Sequence, residues 1–358
     1  MLFAGMTLGL YALGLILTGI GSRLASRCAT WCCALCGLPM WMVSGTVVTL
    51  SAALPQLMLA FLASGLEVTA LAVGTALAGA VTSLGLVLAW CFLRRDVVVD
   101  RGEFCRKCLL LAVACCVILF SVREGTLSYT GTGILMALFV VFVMQSIVYR
   151  HAFAFGEGVE LVEIDSPAPG LPQTDTEGVA RTAAFPAMSV ANSLRNLGGT
   201  VLGLGLLGAG AGALLTSAVA LANLTGTIQA LWAATLISLG LNLPMFAEVL
   251  HHPLGSVWKN FAERCRIYPP QALPIQTLNS AILSVTFVLP VSSLMYRRRL
   301  PVGAQFRLYD LPFCLVMTCV LLLPPLLGRR LCRWQGAVCL GLYLVYLFAV
   351  LFLPRAGA

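Results

Sequence analysis

Long apolar segments recur along almost the whole sequence, and they constrain its fold more than any other feature. The hydrocarbon core of a bilayer is about 30 Å thick, and a helix needs about 20 apolar residues to cross it. Ten segments approach that length: 3–21, 39–63, 69–93, 108–122, 130–149, 198–222, 229–250, 272–295, 311–327 and 334–353. Backbone groups in lipid must hydrogen-bond within their own segment, so such spans are helical. The sequence therefore predicts an all-α, polytopic membrane protein with about ten transmembrane helices.

Composition excludes a water-soluble fold and gives no support to a metal centre. Hydrophobic residues make up 59% of the 358 residues and charged residues 10%, far from the averages of soluble domains. Most of the 14 cysteines lie inside apolar segments, where cysteine packs as a small hydrophobe. Cys33 and Cys36 form a C-x-x-C pair without histidines at zinc spacing, so we expect packing and no transition-metal site. We expect neither a cofactor nor an enzyme, since no nucleophile and base stand out at matching depth.

One polar segment, residues 150–197, divides the apolar sequence into two parts. It contains six carboxylates and a run of prolines: Glu157, Glu160, Glu163, Asp165, Asp175, Glu177, Pro167, Pro169 and Pro172. Low hydrophobicity, acidity and proline are typical of a flexible linker. The sequence thus predicts a five-helix repeat over residues 1–149, this linker, and a second five-helix repeat over 198–358.

The distribution of Lys and Arg among the loops predicts the orientation in the membrane. Basic residues accumulate on the cytoplasmic side. With the N-terminus outside, the inner loops hold 16 of the 22 Lys and Arg, although the outer cluster Arg297–Arg299 runs against this trend. We therefore expect an integral plasma (inner) membrane protein with both termini outside and the linker in the cytoplasm. The net charge of +8 is a topology signal and does not require a nucleic acid partner.

An internal repeat relates the two halves of the sequence. A shift of 189 positions aligns Leu13–Gly21 with Leu202–Gly210, and six of the nine pairs are identical. The same shift, without a gap, aligns Leu54-Pro55 with Leu243-Pro244. Because each repeat contains an odd number of helices, the second enters the membrane in the opposite orientation. The sequence therefore predicts two inverted five-helix repeats, the architecture of many secondary transporters.

Pro55 and Pro244 fall in the middle of helices two and seven, where each removes a backbone hydrogen bond. Helices interrupted at membrane depth can direct free carbonyl oxygens at a transported cation. We expect helix breaks at these two prolines and a cation site beside them. The simpler alternative is that each proline only kinks its helix.

These residues resemble the calcium/cation antiporter superfamily, which includes sodium/calcium and calcium/proton exchangers. That family carries two copies of a G-T-S-x-P-E motif, each followed in the next helix by G-S-N-x-x-N or G-S-N-x-x-D. The first copy resembles Gly45–Gln56, with Ala78–Ser83 in the following helix, and the second resembles Ile237–Met245, with Leu278–Ser284. The resemblance implies secondary-active cation antiport by alternating access, with the ion at the midplane between helices 2, 3, 7 and 8.

The departures from the family motif change the expected ion. In the family, the Glu after each proline supplies the negative charge for calcium, whereas Gln56 and Met245 occupy those positions here. Glu248 lies one turn beyond Met245 and is either a ligand or a residue at the helix end, solvated or paired with Arg264 or Lys259. The resemblance implies a cation site with Gln56, Ser83, Asn242, Ser280 and Ser284, and the position of Glu248 within a predicted helix adds it as a candidate ligand. One carboxylate and several neutral oxygens suit a monovalent ion or a proton better than calcium.

Two functional hypotheses remain open at this stage. The first is a divergent antiporter that exchanges inorganic cations such as Na⁺, Ca²⁺ or H⁺ as a functional monomer in the lipid bilayer. The second is a transport-inactive relative that serves as a membrane scaffold or regulator, which the two replaced Glu residues would explain. Taken singly, each polar side chain of the predicted site is typical of ordinary helix–helix contacts.

Overall fold

The computed structural model of the chain describes residues 2–35, 40–94, 101–154, 190–250, 273–296, 299–327 and 333–352. These residues form ten helices. In the first half they are α1 (Leu2–Leu35), α2 (Met40–Gly65), α3 (Thr69–Thr82, a π-helical turn Ser83–Leu88, then Ala89–Arg94), α4 (Arg101–Ser121) and α5 (Tyr129–Ala154). In the second half they are α6 (Val190–Thr225), α7 (Gln229–Trp232, a π-helical turn Ala233–Ile237, then Ser238–Leu250), α8 (Leu273–Leu283, a π-helical turn Ser284–Val288, then Leu289–Met295), α9 (a π-helical turn Phe306–Asp310, then Leu311–Leu326) and α10 (Arg333–Phe352).

The helices correspond one to one with the predicted spans. Eight of them are long and apolar enough to cross a bilayer, and α2 and α7 contain shorter apolar stretches, Ala53–Gly65 and Gln229–Leu243. The predicted all-α membrane fold is therefore confirmed. Several helices extend beyond the apolar spans, because helix formation continues where the backbone leaves the lipid. In particular, α5 and α6 take up both ends of the predicted linker, of which residues 155–189 lie outside the described part of the chain.

Helices α1 and α6 pack along each other through matching glycines. A Cβ atom on Gly21 would lie 2.8 Å from the carbonyl oxygen of Gly203, and one on Gly14 would lie 3.0 Å from that of Gly210. Gly14 lies beside Gly210 and Gly21 beside Gly203, so residue numbers increase along α1 as they decrease along α6. The two helices therefore run antiparallel. The shift of 189 positions makes Gly14 equivalent to Gly203 and Gly21 equivalent to Gly210. Equivalent residues thus exchange partners, as a pseudo-twofold axis between two inverted repeats requires.

The centre of the molecule is formed by α3 and α8. Every residue from Leu71 to Thr82 is buried, and so is every residue from Gln276 to Leu283. Outer helices such as α1 and α10 expose large apolar side chains, among them Ile16 and Phe348. This arrangement places the most enclosed segment of each repeat beside that of the other, where polar side chains are shielded from lipid.

Neither predicted helix break interrupts its helix. Pro55 lies inside α2, and α7 continues through Pro244 from Ser238 to Leu250. Proline removes one hydrogen bond without ending a helix when neighbouring helices hold the flanking turns. Among the described residues the irregular backbone instead takes the form of four π-helical turns, and two of these begin at Ser83 and Ser284, residues of the predicted site.

A short antiparallel strand pair joins the two halves at one end of the molecule. Strand β1 (Thr126–Leu127) follows α4, and strand β2 (Leu300–Pro301) follows α8. Next to the pair, Arg299 Nη1 lies 3.3 Å from Glu124 Oε2. The loops after the fourth and eighth helices are therefore at the same end, as four intervening membrane crossings require.

Candidate functional site

Gln56 and Ser284 form a buried contact between the two repeats. Gln56 lies on α2 one residue after Pro55, and its side chain is inaccessible to solvent because α3 and α8 cover it. Ser284 Oγ is within hydrogen-bonding distance of Gln56 Oε1 and lies 2.8 Å from the carbonyl oxygen of Ser280. The single hydroxyl proton of Ser284 serves one of these two acceptors at a time. The Gln56 amide nitrogen lies against the backbone of Gly79, at 3.4 Å from the position a Cβ would take.

Ser83 and Asn242 form a second contact between the repeats. Ser83 Oγ lies 2.7 Å from Asn242 Oδ1 and 2.9 Å from the carbonyl oxygen of Gly79. Asn242 Nδ2 donates to the carbonyl oxygen of Ser238 at 2.8 Å and approaches that of Gly79 at 3.4 Å. Gly79 therefore lies between the two contacts, because its lack of a side chain lets both amides reach the α3 backbone.

The serines of the two contacts occupy corresponding positions in the two repeats. Ser83 begins the π-helical turn of α3, and Ser284 begins the corresponding turn of α8. Each serine faces the amide of a proline-containing helix of the other repeat. A π-helical turn widens the helix locally and is common at functional sites. The predicted residues Gln56, Ser83, Asn242 and Ser284 are thus brought together where four helices meet.

Two buried oxygens near this position have no hydrogen-bond partner among the described residues. They are Asn279 Oδ1 and Ser280 Oγ, both on α8. The Asn279 amide nitrogen points the other way, toward Gln276 Oε1 at 3.4 Å. Buried polar atoms in native proteins are nearly always satisfied, so unpaired oxygens indicate a water or a ligand. Oxygen is also the ligand that Na⁺, Mg²⁺ and Ca²⁺ prefer.

The polar cluster extends to two residues beyond the predicted set. Thr82 Oγ1 donates to Ser238 Oγ at 3.1 Å, and Ser238 Oγ in turn donates to the carbonyl oxygen of Ala234 at 2.5 Å. Ser238 lies one turn before Asn242 on α7, and this spacing was the available signal for it in the sequence. Thr82 also lies 3.5 Å from the hydroxyl of Tyr343 on α10, which extends the network to another helix.

Within the described residues the cluster consists of neutral groups. Met245, one residue after Pro244, is half-buried. Glu248 lies two residues before the end of α7, and its side chain is outside the described part of the structure. No group of three or more His, Cys, Asp or Glu that could hold a metal ion occurs among the described residues. Neutral oxygens therefore provide the ligands that the described part of the cluster can offer.

One buried carboxylate, Asp310, is not among the residues predicted from the sequence. Asp310 closes the π-helical turn of α9 and is fully buried. The predicted ninth span begins at residue 311, so Asp310 lies just outside it. Burial comes instead from α10, where the hydroxyl of Tyr346 donates to Asp310 Oδ1 at 3.0 Å. A carboxylate directly before an apolar segment was the one available signal.

This geometry defines a polytopic membrane protein whose two inverted repeats meet at a buried polar centre. Residues 276–352, which contain α9, α10 and most of α8, match the family model of the sodium/calcium exchanger protein family. Solved structures of the sodium-calcium exchanger NCX_Mj share the fold. One, soaked with 2.5 mM Na⁺ and 10 mM Sr²⁺, is 19% identical with a TM-score of 0.57, covering 98% of this chain and 100% of that chain. Another, soaked with 2.5 mM Na⁺ and 0.1 mM Ca²⁺, is 18% identical with a TM-score of 0.56, covering 98% and 99%.

A search of curated proteins found no match. The match over residues 276–352 and the shared fold agree with the resemblance to the calcium/cation antiporter superfamily that the sequence predicts. The prediction of a non-enzymatic membrane protein agrees with this match.

Proposed function

We propose that the protein is a secondary-active cation antiporter with its ion site at the buried cluster between α2, α3, α7 and α8. The observation that carries this proposal is the pair of contacts between the repeats, Gln56 with Ser284 and Asn242 with Ser83. Beside them, Asn279 Oδ1 and Ser280 Oγ have no hydrogen-bond partner within the part of the chain that the structure describes. A buried cluster of side-chain oxygens at the interface of inverted repeats is where secondary transporters bind their ions.

The transported ion is proposed to be monovalent, with Na⁺ as the first candidate. Calcium sites in proteins take six to eight oxygens, and carboxylates supply the charge that offsets dehydration of the ion. Gln56 and Met245 supply no charge, and Glu248 is the one carboxylate of the predicted site. A singly charged ion loses less hydration energy and is matched by neutral amide and hydroxyl oxygens.

Alternating access requires that the contacts at the site change during the cycle. Since each contact joins helices of different repeats, relative movement of these helices would open the cluster to one side and then to the other. We place the protein in the plasma membrane as a functional monomer, with both termini outside and the linker cytoplasmic. Its partners are the bilayer and the transported cations, with no bound cofactor.

The proposal is tested on purified protein in liposomes, by measuring cation uptake against an opposing cation gradient. Ser284→Ala and Gln56→Ala each remove one side of a contact at the site, and uptake should fall about tenfold, which corresponds to about 1.4 kcal/mol. The matched control is Ser292→Ala. Ser292 is also buried on α8 and also donates to the carbonyl four residues earlier at 2.8 Å, but it lies away from the cluster. Uptake that is equal in all three variants would remove the site assignment.

Glu248→Ala tests the remaining carboxylate in the same assay. If Glu248 binds the ion or a coupling proton, uptake should fall with this variant as well. Full uptake in Glu248→Ala together with reduced uptake in Gln56→Ala would leave a site built from neutral oxygens only.

The second candidate function is a transport-inactive scaffold, which the loss of both family Glu residues favours. It predicts that no inorganic cation stabilises the detergent-solubilised protein. A thermal-stability screen with Li⁺, Na⁺, K⁺, Ca²⁺ and Mg²⁺ distinguishes the antiporter from the scaffold. Concentration-dependent stabilisation by one of these ions, reduced in Ser284→Ala but retained in Ser292→Ala, supports the antiporter.

A further inference from the structure

Asp310 is a buried carboxylate without a cationic partner. Among the described residues, the other buried carboxylate is Glu103, whose Oε1 lies 2.5 Å from Lys107 Nζ. Asp310 forms no ion pair, and its Oδ2 atom has no hydrogen-bond partner in the described part of the chain. A buried unpaired charge is costly, and an ionisable residue within a membrane-spanning segment is a functional candidate for that reason.

The groups around Asp310 hold a proton better than a metal ion. The contact that Asp310 makes is with the hydroxyl of Tyr346, at 3.0 Å. Sodium or calcium needs several more oxygens than one carboxylate and one hydroxyl. The segment of α3 that packs against this turn, Thr69–Thr82, contains no ionisable residue. On the turn itself, Arg307 Nη1 instead donates to the carbonyl oxygen of Arg123 at 3.3 Å.

The remaining ionisable groups on α9 and on the helices that pack against this turn are tyrosines, cysteines and arginines: Tyr309, Cys314 and Cys319 on α9, Arg333, Cys339, Tyr343 and Tyr346 on α10, and Cys91 and Arg94 at the far end of α3. In the described part of the structure, the contact of the Asp310 carboxylate is with Tyr346 and not with a cation. Protonation of the carboxyl is therefore the change that removes its charge.

Two tyrosines connect Asp310 with the proposed ion site. Tyr343 lies one turn before Tyr346 on α10, with ring centroids 6.1 Å apart. The Tyr343 hydroxyl lies 3.5 Å from Thr82 Oγ1, and the Tyr343 side chain packs on Gly85 in the π-helical turn that begins at Ser83. A change of charge at Asp310 thus acts on α10, which itself contacts the ion-binding turn of α3.

We infer that Asp310 is the proton-binding site that couples proton movement to cation movement in this protein. This inference rests on the proposed antiport function. In the protonated state Oδ2 carries the proton and Oδ1 accepts from Tyr346. In the coupled step the Oδ2–H bond breaks, water of the open compartment takes the proton, and the new carboxylate charge is balanced by a cation entering the polar cluster.

Infrared difference spectroscopy of the purified protein tests the proton site without any transport assay. The wild type should show the carbonyl band of a protonated carboxyl at neutral pH. Asp310→Asn should lose this band, and Tyr346→Phe should shift it because one hydrogen bond is lost. Adding the stabilising cation should diminish the band. Glu124→Gln is the control, since it makes the same chemical change at an exposed carboxylate. A band that persists in Asp310→Asn overturns the assignment.

Liposome flux tests the coupling. An imposed pH gradient should drive cation movement in the wild type and in Glu124→Gln, whereas Asp310→Asn should lose the pH-driven component and keep exchange of cation against cation. If Asp310→Asn responds to the pH gradient like the wild type, coupling through Asp310 is overturned. If the wild type carries no cation under any gradient, the proposed antiport fails and coupling through Asp310 fails with it, while the infrared band separately decides whether Asp310 holds a proton.

Discussion

Gln56 differs from the Glu of the family motif by one charge and almost no volume. Its amide is buried against Gly79 and Ser284, so the position keeps a polar, oxygen-bearing side chain without the charge. At the equivalent position of the other repeat, Met245 provides neither charge nor oxygen. Relative to the family motif, the cluster therefore has less negative charge on both sides of the repeat axis, and for the proposed ion site we expect a lower affinity for a divalent ion.

Restoring the two carboxylates should create calcium affinity. The double variant Gln56→Glu with Met245→Glu places two charges beside the neutral oxygens of the cluster, and without calcium their burial should destabilise the protein. Calcium at a hundred times its dissociation constant should then stabilise the variant by about 2.7 kcal/mol. The thermal midpoint with and without calcium measures this. Gln305→Glu, which adds one negative charge at a partly buried position outside the cluster, should show no calcium response. Equal responses in both variants would contradict a two-carboxylate site.

At the scale of the helices, glycine decides how closely the two repeats approach. Gly21 and Gly210 occupy equivalent positions, and a Cβ on either would lie 2.7 Å from a backbone nitrogen of the opposite helix. A Cβ added to Gly19 or Gly208, two residues earlier in each repeat, would have no neighbouring atom within 4 Å among the described residues. The sequence pattern contains both kinds of glycine, and only the packing of α1 on α6 distinguishes them.

Alanine substitutions at these four glycines should separate into two classes. Gly21→Ala and Gly210→Ala push the helix backbones apart and should each destabilise the protein by about 1–3 kcal/mol. Gly19→Ala and Gly208→Ala should change stability little, since the added methyl group meets open space. Thermal denaturation in detergent measures the difference. Similar losses in all four variants would contradict a specific role of the contact between α1 and α6, since Ala is the better helix former and propensity alone predicts no loss.

The length and apolarity of the segments were sufficient to predict the ten helices, because a run of about 20 apolar residues crosses the bilayer core as an α-helix. Hydropathy contains no information about which helices touch, so the contacts of Gln56 with Ser284 and of Asn242 with Ser83 could not be predicted individually. Their convergence followed from the family motif. The burial of Asp310 depends on Tyr346, 36 residues away in sequence, and no local pattern predicts it.

At the scale of the whole molecule, the two repeats interlock. Contacts at the site join α2 to α8 and α3 to α7, and strands β1 and β2 join the repeats again at one end. Each repeat therefore lacks a separate core of its own. These contacts must change in the proposed antiport, so the helices that carry them, α2, α3, α7 and α8, would have to move relative to one another.

Two inverted repeats with the N-terminus outside place the α2–α3 and α6–α7 loops outside the cell and the linker inside, which protease sites inserted into intact cells can test. The loop at Glu67, between α2 and α3, and the loop at Gly226, between α6 and α7, should both be cut from outside. At Gly226 an insertion meets open space, since a Cβ added there would have no described neighbour within 4 Å. A site placed within residues 155–189 should be cut only after permeabilisation. Because α6 alone separates Gly226 from this linker, cleavage of both from the same side would show that α6 does not cross the membrane, and the inverted architecture would fail with it.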